Sequence, residues 1–154
     1  EAGLVLPEML RESDADASGG IWVGQPRGAP GDGSMLFDLQ VDSSGEYFLW
    51  ARTKSPDAKS DSVYVALWPD ASIGPPADKV TSELADDPPG PISGAWHLPR
   101  GDKWLWRPWH LDRAAEPARL PLTPGGYRLL VRTREPGAKV DRFLLTRDPA
   151  ARPE

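Results

Sequence analysis

The stretch GGYRLLVRTREPGAKVDRFLLT, residues 125–146, contains two β-strands joined by a short turn with proline and glycine. In its first half apolar residues alternate with arginines, which is the period-2 pattern of a strand with one buried face. The arginine-bearing face is too polar to form a dry core. We therefore predict that Tyr127, Leu129 and Val131 point into the interior.

The same alternation recurs along the chain, bounded by turn residues. It predicts strands within residues 45–54, 60–68 and 140–146, and shorter ones at 21–23, 34–41 and 118–122. The chain has 15 Gly and 18 Pro in 154 residues, which would interrupt long helices. The pattern predicts an all-β protein, a β-sandwich jelly roll of about eight antiparallel strands.

A Pro-rich loop insertion is predicted at residues 69–95, where no alternation occurs. Loops of this length in a compact domain are uncommon and are often functional. Phe48, Trp50, Tyr64 and Trp68 lie on strand faces that should point away from the core. Two interpretations stay open: the loop covers these aromatic residues, or they line a sheet face that binds a chain-like ligand.

Composition excludes several classes of function. The net charge is −5, and no basic stretch is long enough to follow a phosphate backbone, so we expect no nucleic-acid partner. No run of 18 apolar residues occurs, so we predict no membrane partner. The chain has no cysteine, which excludes disulfides and thiolate metal sites. It opens at Glu1 without a signal peptide, as expected of an excised domain or a mature product.

The sequence does not predict an enzyme. It has only two histidines, His97 and His110, and no nucleophile elbow, phosphate-binding glycine loop or paired-histidine metal motif. Its carboxylates lie mostly in predicted loops, whereas glycoside hydrolysis needs two carboxyl groups held rigidly across a cleft. An enzyme would require a cleft that places one of the histidines beside a carboxylate.

Three tryptophans fall within DKWLWRPWHL, residues 102–111. Trp104 and Trp106 share one strand face, and because Arg107 should point outward, we predict that both face the core side. Trp106 lies deeper in the strand and is predicted to be buried. Trp104 follows a turn and lies at the rim, where it either packs or serves as a platform for a ligand. Pro108 predicts a bulge or a strand end, which frees Trp109 from the alternation.

The order and spacing of several segments resemble carbohydrate-binding modules of the family 6 and family 35 type. The matching segments are EA at 1–2, DADASGGIWV at 14–23, SSGEYFLWART at 43–53, SDSVYVAL at 60–67, WLWRP at 104–108 and LTPGGYRLLVRTREPGAKVDRFLLT at 122–146. The resemblance implies a sandwich module over residues 1–148 with a tail at 149–154. It also implies a non-catalytic, monomeric module that binds a polysaccharide or oligosaccharide. The module would be linked in cis to a polysaccharide-degrading enzyme that is extracellular (secreted) or periplasmic.

The resemblance implies a structural calcium ion. Glu1 and Asp141 match the carboxylate positions of the family, and backbone carbonyls are expected from the Ser18–Gly20 turn. Calcium binds six to eight oxygen ligands, which carboxylates and carbonyls together provide. This sequence departs from the family at Gly3, where a second Glu usually stands.

The family's commonest ligand site lies in the loops at one end of the sandwich. Carried over by position, the resemblance assigns Trp22, Lys139 and either Trp104 or Trp106 to this site. Lys139 replaces a frequent Asn, and its ammonium group would favour an acidic sugar such as a uronic acid.

Three further residues are candidates for the same end of the sandwich. Arg134 can clamp a carboxylate in bidentate fashion, although its neighbour Glu135 can instead neutralise it in a structural pair. Asp61 can accept hydrogen bonds from sugar hydroxyls. The alternative function is a structural or interaction domain that docks against a neighbouring domain and binds no sugar.

Overall fold

A computed structural model describes residues 4–5, 9–29, 33–69, 92–111 and 115–151. Within these residues the chain forms eleven strands and one 3-10 turn, Ser18–Gly20. The strands are β1 (Leu4–Val5), β2 (Leu10–Ser13), β3 (Ile21–Gly24), β4 (Ser34–Val41), β5 (Gly45–Ser55), β6 (Ser62–Trp68), β7 (Ile92–His97), β8 (Gly101–Pro108), β9 (Leu120–Leu122), β10 (Gly125–Thr133) and β11 (Lys139–Thr146).

The strands form two antiparallel sheets. The first sheet has the order β1-β4-β10-β6-β7, the second has the order β2-β3-β11-β5-β8, and β9 pairs with β5. This arrangement confirms the predicted all-β sandwich. The short strand predicted at residues 118–122 corresponds to β9. Three strands were not predicted: β7, and β1 and β2, which contain only two and four residues and therefore carry little alternation.

The main core lies between the two sheets. Tyr127, Leu129 and Val131 are buried in it, as the arginines on the opposite face of β10 predicted. The core also contains Trp96 and Trp109, whose ring centroids are 6.3 Å apart. Burial of such large aromatic side chains makes a major contribution to the stability of a domain of this size.

The predicted loop insertion at 69–95 extends too far. Ile92–His97 forms β7, which pairs with β6 from Ser62↔His97 to Leu67↔Ile92. Residues 70–91, which hold the rest of the insertion, lie outside the described residues. The strand was missed because its alternating residues include Ser93 and Gly94, which carry no hydrophobic signal.

Aromatic residues on the outer faces of the sheets are buried. Phe48 and Trp50 lie on the outer face of the second sheet, and Trp68 lies on the outer face of the first. Trp68 packs in a second cluster with Leu36, Ala66 and Leu130. The prediction that these side chains point away from the central core is therefore confirmed. No helix among the described residues is long and apolar enough to cross a membrane.

Candidate functional site

The tryptophans of β8 lie on the outer face of the second sheet. In the register of β8 with β5, Trp106 pairs with Arg52, whereas Leu105 pairs with Thr53, a buried residue of the inner face. The prediction that Trp104 and Trp106 face the core side is therefore wrong. Because β8 is the edge strand, the other sheet does not cover its inner side, and Leu105 remains 42% exposed there.

Trp106 is correspondingly not a core residue. It is only partly buried, and the buried tryptophans of the core are Trp96 and Trp109. The indole nitrogen of Trp96 donates a hydrogen bond to the carbonyl of Pro108 at 3.1 Å. This bond fixes the end of β8, which stops at the proline as predicted.

An open pocket of about 190 Å³ lies beside Trp104. Its lining residues are Asp16, Arg52, Asp102, Lys103 and Trp104. Sites for drug-sized ligands usually measure roughly 300–1,000 Å³, so this pocket offers room for a single small ring. Its lining combines one tryptophan with two cationic and two acidic residues.

Arg52 forms a fixed wall of this pocket. Its guanidinium donates to the Asp141 carboxylate, to Ser18 Oγ at 3.0 Å and to the carbonyl of Asp16 at 3.1 Å. The guanidinium carbon lies 5.6 Å from the centroid of the Trp104 ring, within the range of a cation–π interaction. Arg52 was not predicted as a site residue, since its only signal in the sequence is its position on the same strand face as Trp50.

The predicted metal ligand Asp141 is close to the Ser18–Gly20 turn, as expected. It follows Val140 at a break in the β11–β5 register, and its side chain is fully buried. The amide of Ser18 donates to Asp141 Oδ2 at 2.8 Å, whereas Oδ1 is buried without a partner. An unpartnered buried carboxylate oxygen suits a cation ligand. Among the described residues, however, no group of three His, Asp or Glu side chains converges, and Glu1 lies outside them.

Trp22 and Lys139 form a pair on the same outer face. Trp22 is only 4% exposed, and Lys139 Nζ lies 4.3 Å from the centroid of its ring. The backbone of Gly24 leaves room for this ring, because a Cβ atom at Gly24 would lie 2.9 Å from the Trp22 ring. In this structure Trp22 is therefore covered and offers no free stacking face.

Lys139 also faces Lys54 across the β11–β5 pair. Lys54 Nζ donates to Asp14 Oδ2 at 3.2 Å and lies 5.9 Å from the centroid of the Trp104 ring. The hydrogen bond from the Asp16 amide, followed by the bond from Lys54, lowers the pKa of Asp14 below its usual value. Asp14 therefore interacts electrostatically with both lysines, Lys54 and Lys139.

The other predicted ligand residues form a separate network at the end of β6 and β10. Glu135 Oε2 accepts from the Asp61 amide at 3.0 Å and from Ser62 Oγ at 2.9 Å. Arg134 donates to Ser62 Oγ at 2.7 Å and forms an ion pair with Glu135 at 3.3 Å. Arg100 pairs with the carboxylate of Asp61. Glu135 therefore neutralises Arg134, which was the structural alternative for this pair.

The predicted ligand residues thus divide into two groups. Trp22, Trp104 and Lys139 lie on the outer face of the second sheet, whereas Asp61, Arg134 and Glu135 form the loop-end network. In the described part of the chain, no hydrogen bond or ion pair joins one group directly to the other. The pocket residues Asp16, Asp102 and Lys103 were missed, because exposed charged residues in a turn or near the start of a strand carry no distinctive sequence signal.

Comparison with solved structures identifies the architecture. The C-terminal family 6 module of the laminarinase LamC from Zobellia galactanivorans superimposes with a TM-score of 0.57 at 14% identity, over 94% of this chain and 99% of that one. A family 35 module from Clostridium thermocellum gives a TM-score of 0.58 at 13% identity, over 94% and 91% of the two chains. The chain has the fold of carbohydrate-binding modules.

A larger protein contains the same fold. The exo-β-1,3-galactanase of Phanerochaete chrysosporium gives a TM-score of 0.61 at 15% identity, and the match covers 94% of this chain but only 27% of the galactanase. The chain thus spans about a quarter of that enzyme, whereas it matches nearly the whole length of the isolated modules. No protein-family model matches the sequence, and no curated protein matches it either.

Proposed function

We propose that this chain is a non-catalytic carbohydrate-binding module that binds a sugar ring in the pocket beside Trp104. The observation that carries the proposal is the combination of a partly exposed indole with Arg52, Lys103, Asp16 and Asp102 around one open pocket. Sugar rings present a face of C–H bonds and a rim of hydroxyl groups. The indole suits the face, and the charged side chains suit the rim.

The expected affinity is modest. Burial of apolar area at about 25 cal/mol per Å² gives a few kcal/mol for one stacked ring, before the cost of immobilising the sugar. We therefore expect dissociation constants in the micromolar to millimolar range when a single ring stacks.

We further propose that the glycan is acidic and contains uronic acid. Lys139 supports this part of the proposal, because it makes no ion pair with any described residue and faces a second lysine, Lys54. Arg134 supports it less, because Ser62 and Glu135 already occupy its guanidinium.

The module would target a secreted polysaccharide-degrading enzyme to its substrate. The galactanase match, in which this fold accounts for about a quarter of an enzyme chain, supports linkage in cis to a catalytic domain. We propose an extracellular or periplasmic location and a monomeric module on the same basis.

We also propose a structural calcium ion at Asp141. The unpartnered Asp141 Oδ1 supports it, and the bond from the Ser18 amide holds the Ser18–Gly20 turn beside this carboxylate, so carbonyl groups of the turn would be its further ligands. In a thermal unfolding experiment, calcium would raise the Tm of the wild type after chelator treatment and would have no effect on Asp141→Asn. Equal Tm values with calcium and with chelator in the wild type would contradict this site.

The alternative is a docking domain without sugar binding. Leu10 and Ile21 are 49% and 51% exposed on the neighbouring strands β2 and β3. The register places Leu10 opposite Gly24 and Ile21 opposite Ser13, so the two side chains lie on opposite faces of the strand pair and do not form one apolar surface. Isolated exposed apolar residues are common on monomers, so these two residues do not favour docking over sugar binding.

Affinity electrophoresis and calorimetry with neutral and uronic-acid polysaccharides test the proposed function. Trp104→Ala should weaken binding by about tenfold or more, because it removes the stacking face. Leu105→Ala is the matched control, since Leu105 is exposed on the opposite side of β8. If the folded wild type binds no glycan, the sugar proposal fails and the docking-domain alternative takes its place.

A further inference from the structure

The two oxygens of the Asp141 carboxylate have different surroundings. Oδ2 accepts hydrogen bonds from the Ser18 amide and from the guanidinium of Arg52, whereas Oδ1 is buried and has no partner in the described part of the chain. The side chain of Asp141 is fully buried, and that of Arg52 is only 20% exposed. A buried charge is costly unless it is paired and hydrogen-bonded. Arg52 provides that pairing on one oxygen and leaves the other oxygen open to a second cation.

The guanidinium of Arg52 already uses oxygen atoms of the kind that calcium binds. It donates to the Asp141 carboxylate, to Ser18 Oγ at 3.0 Å and to the carbonyl of Asp16 at 3.1 Å. Carboxylate and backbone carbonyl oxygens are typical calcium ligands, and calcium needs roughly six to eight oxygens around it. Arg52 therefore occupies acceptors beside Asp141 that would otherwise be open to the ion.

Arg52 and a calcium ion would repel each other at Asp141. Both oxygens belong to one carboxylate, so a cation on Oδ1 would be close to the guanidinium on Oδ2. Repulsion between such near charges is strong at a buried group, because the local dielectric constant is low and salt screens the charges little. Each cation should therefore lower the affinity of Asp141 for the other.

We propose that Arg52 is an internal cation that competes with calcium for Asp141, and that this competition couples the calcium ion to the pocket beside Trp104. The inference rests on the calcium site and the sugar pocket of the proposed function and adds a link between them. Arg52 lines the pocket, and its guanidinium carbon lies 5.6 Å from the centroid of the Trp104 ring. A change in the partners of Arg52 therefore changes the wall of the pocket.

The coupling between calcium and the pocket has a definite sign. A guanidinium group has only donors, and two of the three nitrogens of Arg52 donate to acceptors of the protein. When calcium takes Asp141, some of these donors become available to the hydroxyl groups of a sugar in the pocket. Calcium should therefore raise the glycan affinity, and by linkage the glycan should raise the calcium affinity by the same factor.

Calcium titration by calorimetry, together with thermal unfolding in calcium and in chelator, tests the competition. The variants are Arg52→Gln, which removes the charge, and Arg52→Lys, which retains it. Arg128→Gln is the matched control, because Arg128 is 22% exposed and is paired with Asp38 on the first sheet. The double variant Arg52→Gln/Asp141→Asn lacks both the cation and the carboxylate.

The competition predicts that Arg52→Gln binds calcium about tenfold more tightly than the wild type, within the usual range of coupling between two sites. Its Tm should fall in chelator, because Asp141 loses its ion pair, and should recover in calcium. If the variant unfolds in chelator, its refolding on addition of calcium measures the same effect. Arg52→Lys and Arg128→Gln should bind calcium as the wild type does, and calcium should not change the Tm of the double variant.

Calorimetry of glycan binding, in calcium and in chelator, tests the link to the pocket. The ligand is the neutral polysaccharide that binds most tightly in the screen described above. The wild type should bind it about fivefold more tightly in calcium. The difference should disappear in Arg52→Gln, because the group that connects the two sites is missing.

The outcomes separate this proposal from the proposed function. Calcium binding by Arg52→Gln alone would support the competition and show that Arg52 keeps calcium out of the wild type. If Arg52→Gln binds calcium no more tightly than the wild type, or if Arg128→Gln gains as much, Arg52 is not a specific competitor. If glycan affinity is the same in calcium and in chelator, the coupling is wrong while sugar binding stands. If no glycan binds at all, the proposed function fails, and the calcium titration still decides the competition.

Discussion

The outer face of the second sheet and the loop-end network contain the same kinds of residues but use them differently. In the loop-end network, Glu135 binds the Asp61 amide and Ser62, and Arg134 is held by both Ser62 and Glu135. On the outer face, the indole donors of Trp104 and Trp106 are unpartnered. In both regions the main ion pairs are formed within the protein, and the difference lies in the indole donors, whose lack of partners beside the open pocket supports the proposed ligand site.

The largest expected loss of stability comes from Asp141→Ala, which removes an ion pair on the outer face. The substitution leaves the guanidinium of Arg52 partly buried without its counter-charge and removes the acceptor for the Ser18 amide. We expect the free energy of unfolding to fall by about 3 kcal/mol in urea denaturation.

Asp38→Ala is the matched control for that experiment. Asp38 pairs with Arg128 on the other sheet, and its side chain is 65% exposed, so the loss should be only about 0–1 kcal/mol. Equal losses for the two variants would show that the Arg52–Asp141 pair does not hold the pocket wall.

A smaller loss of stability is expected for Glu135→Ala, which disrupts the loop-end network. The Asp61 amide and the Ser62 hydroxyl lose their common acceptor, and Arg134 loses its ion pair. We expect a loss of about 1–3 kcal/mol in the free energy of unfolding. Glycan affinity of the folded variant, measured by calorimetry, should not change. A marked loss of affinity would show that Glu135 belongs to the ligand site and that the two regions do not have separate roles.

The smallest effect concerns acid stability, to which Asp14 of the outer face and Asp57, in the loop between β5 and β6, contribute. The pKa of Asp14 is lowered by the Asp16 amide and by Lys54, and the pKa of Asp57 is lowered by Arg27 and by the Lys59 amide. A carboxyl group with a lower pKa in the folded than in the unfolded state stabilises the protein above the unfolded pKa. This contribution is lost as the pH falls through the folded pKa.

Thermal unfolding between roughly pH 2 and pH 6 measures this acid dependence, since the unfolded pKa of an Asp is about 3.9. Asp14→Asn and Asp57→Asn should each lower the Tm at the upper end of this range and have a diminishing effect at the lower end. A Tm difference from the wild type that grows as the pH falls would contradict the assigned direction of the shift.

The sequence determined the class of fold because alternation is a local property. The arginines of β10 fixed which of its faces is buried, and the structure agrees at Tyr127, Leu129 and Val131. The same reasoning failed at β8, where Arg107 and Leu105 suggested the wrong core face. Alternation shows that a strand has two different faces, but at a sheet edge the inner face is not covered, so polarity no longer identifies it.

The candidate site depends on contacts between residues that are far apart in the sequence, which local sequence patterns do not reveal. The Ser18 amide and Asp141 are 123 residues apart in sequence, and Arg52 and Asp141 are 89 residues apart, yet these bonds shape the pocket beside Trp104. The sequence by itself determined most of the longer strands and the all-β sandwich, and it predicted Trp104 as a candidate platform. Only the tertiary structure decided which partners each charge received, because strand order and register place residues side by side that are distant along the chain.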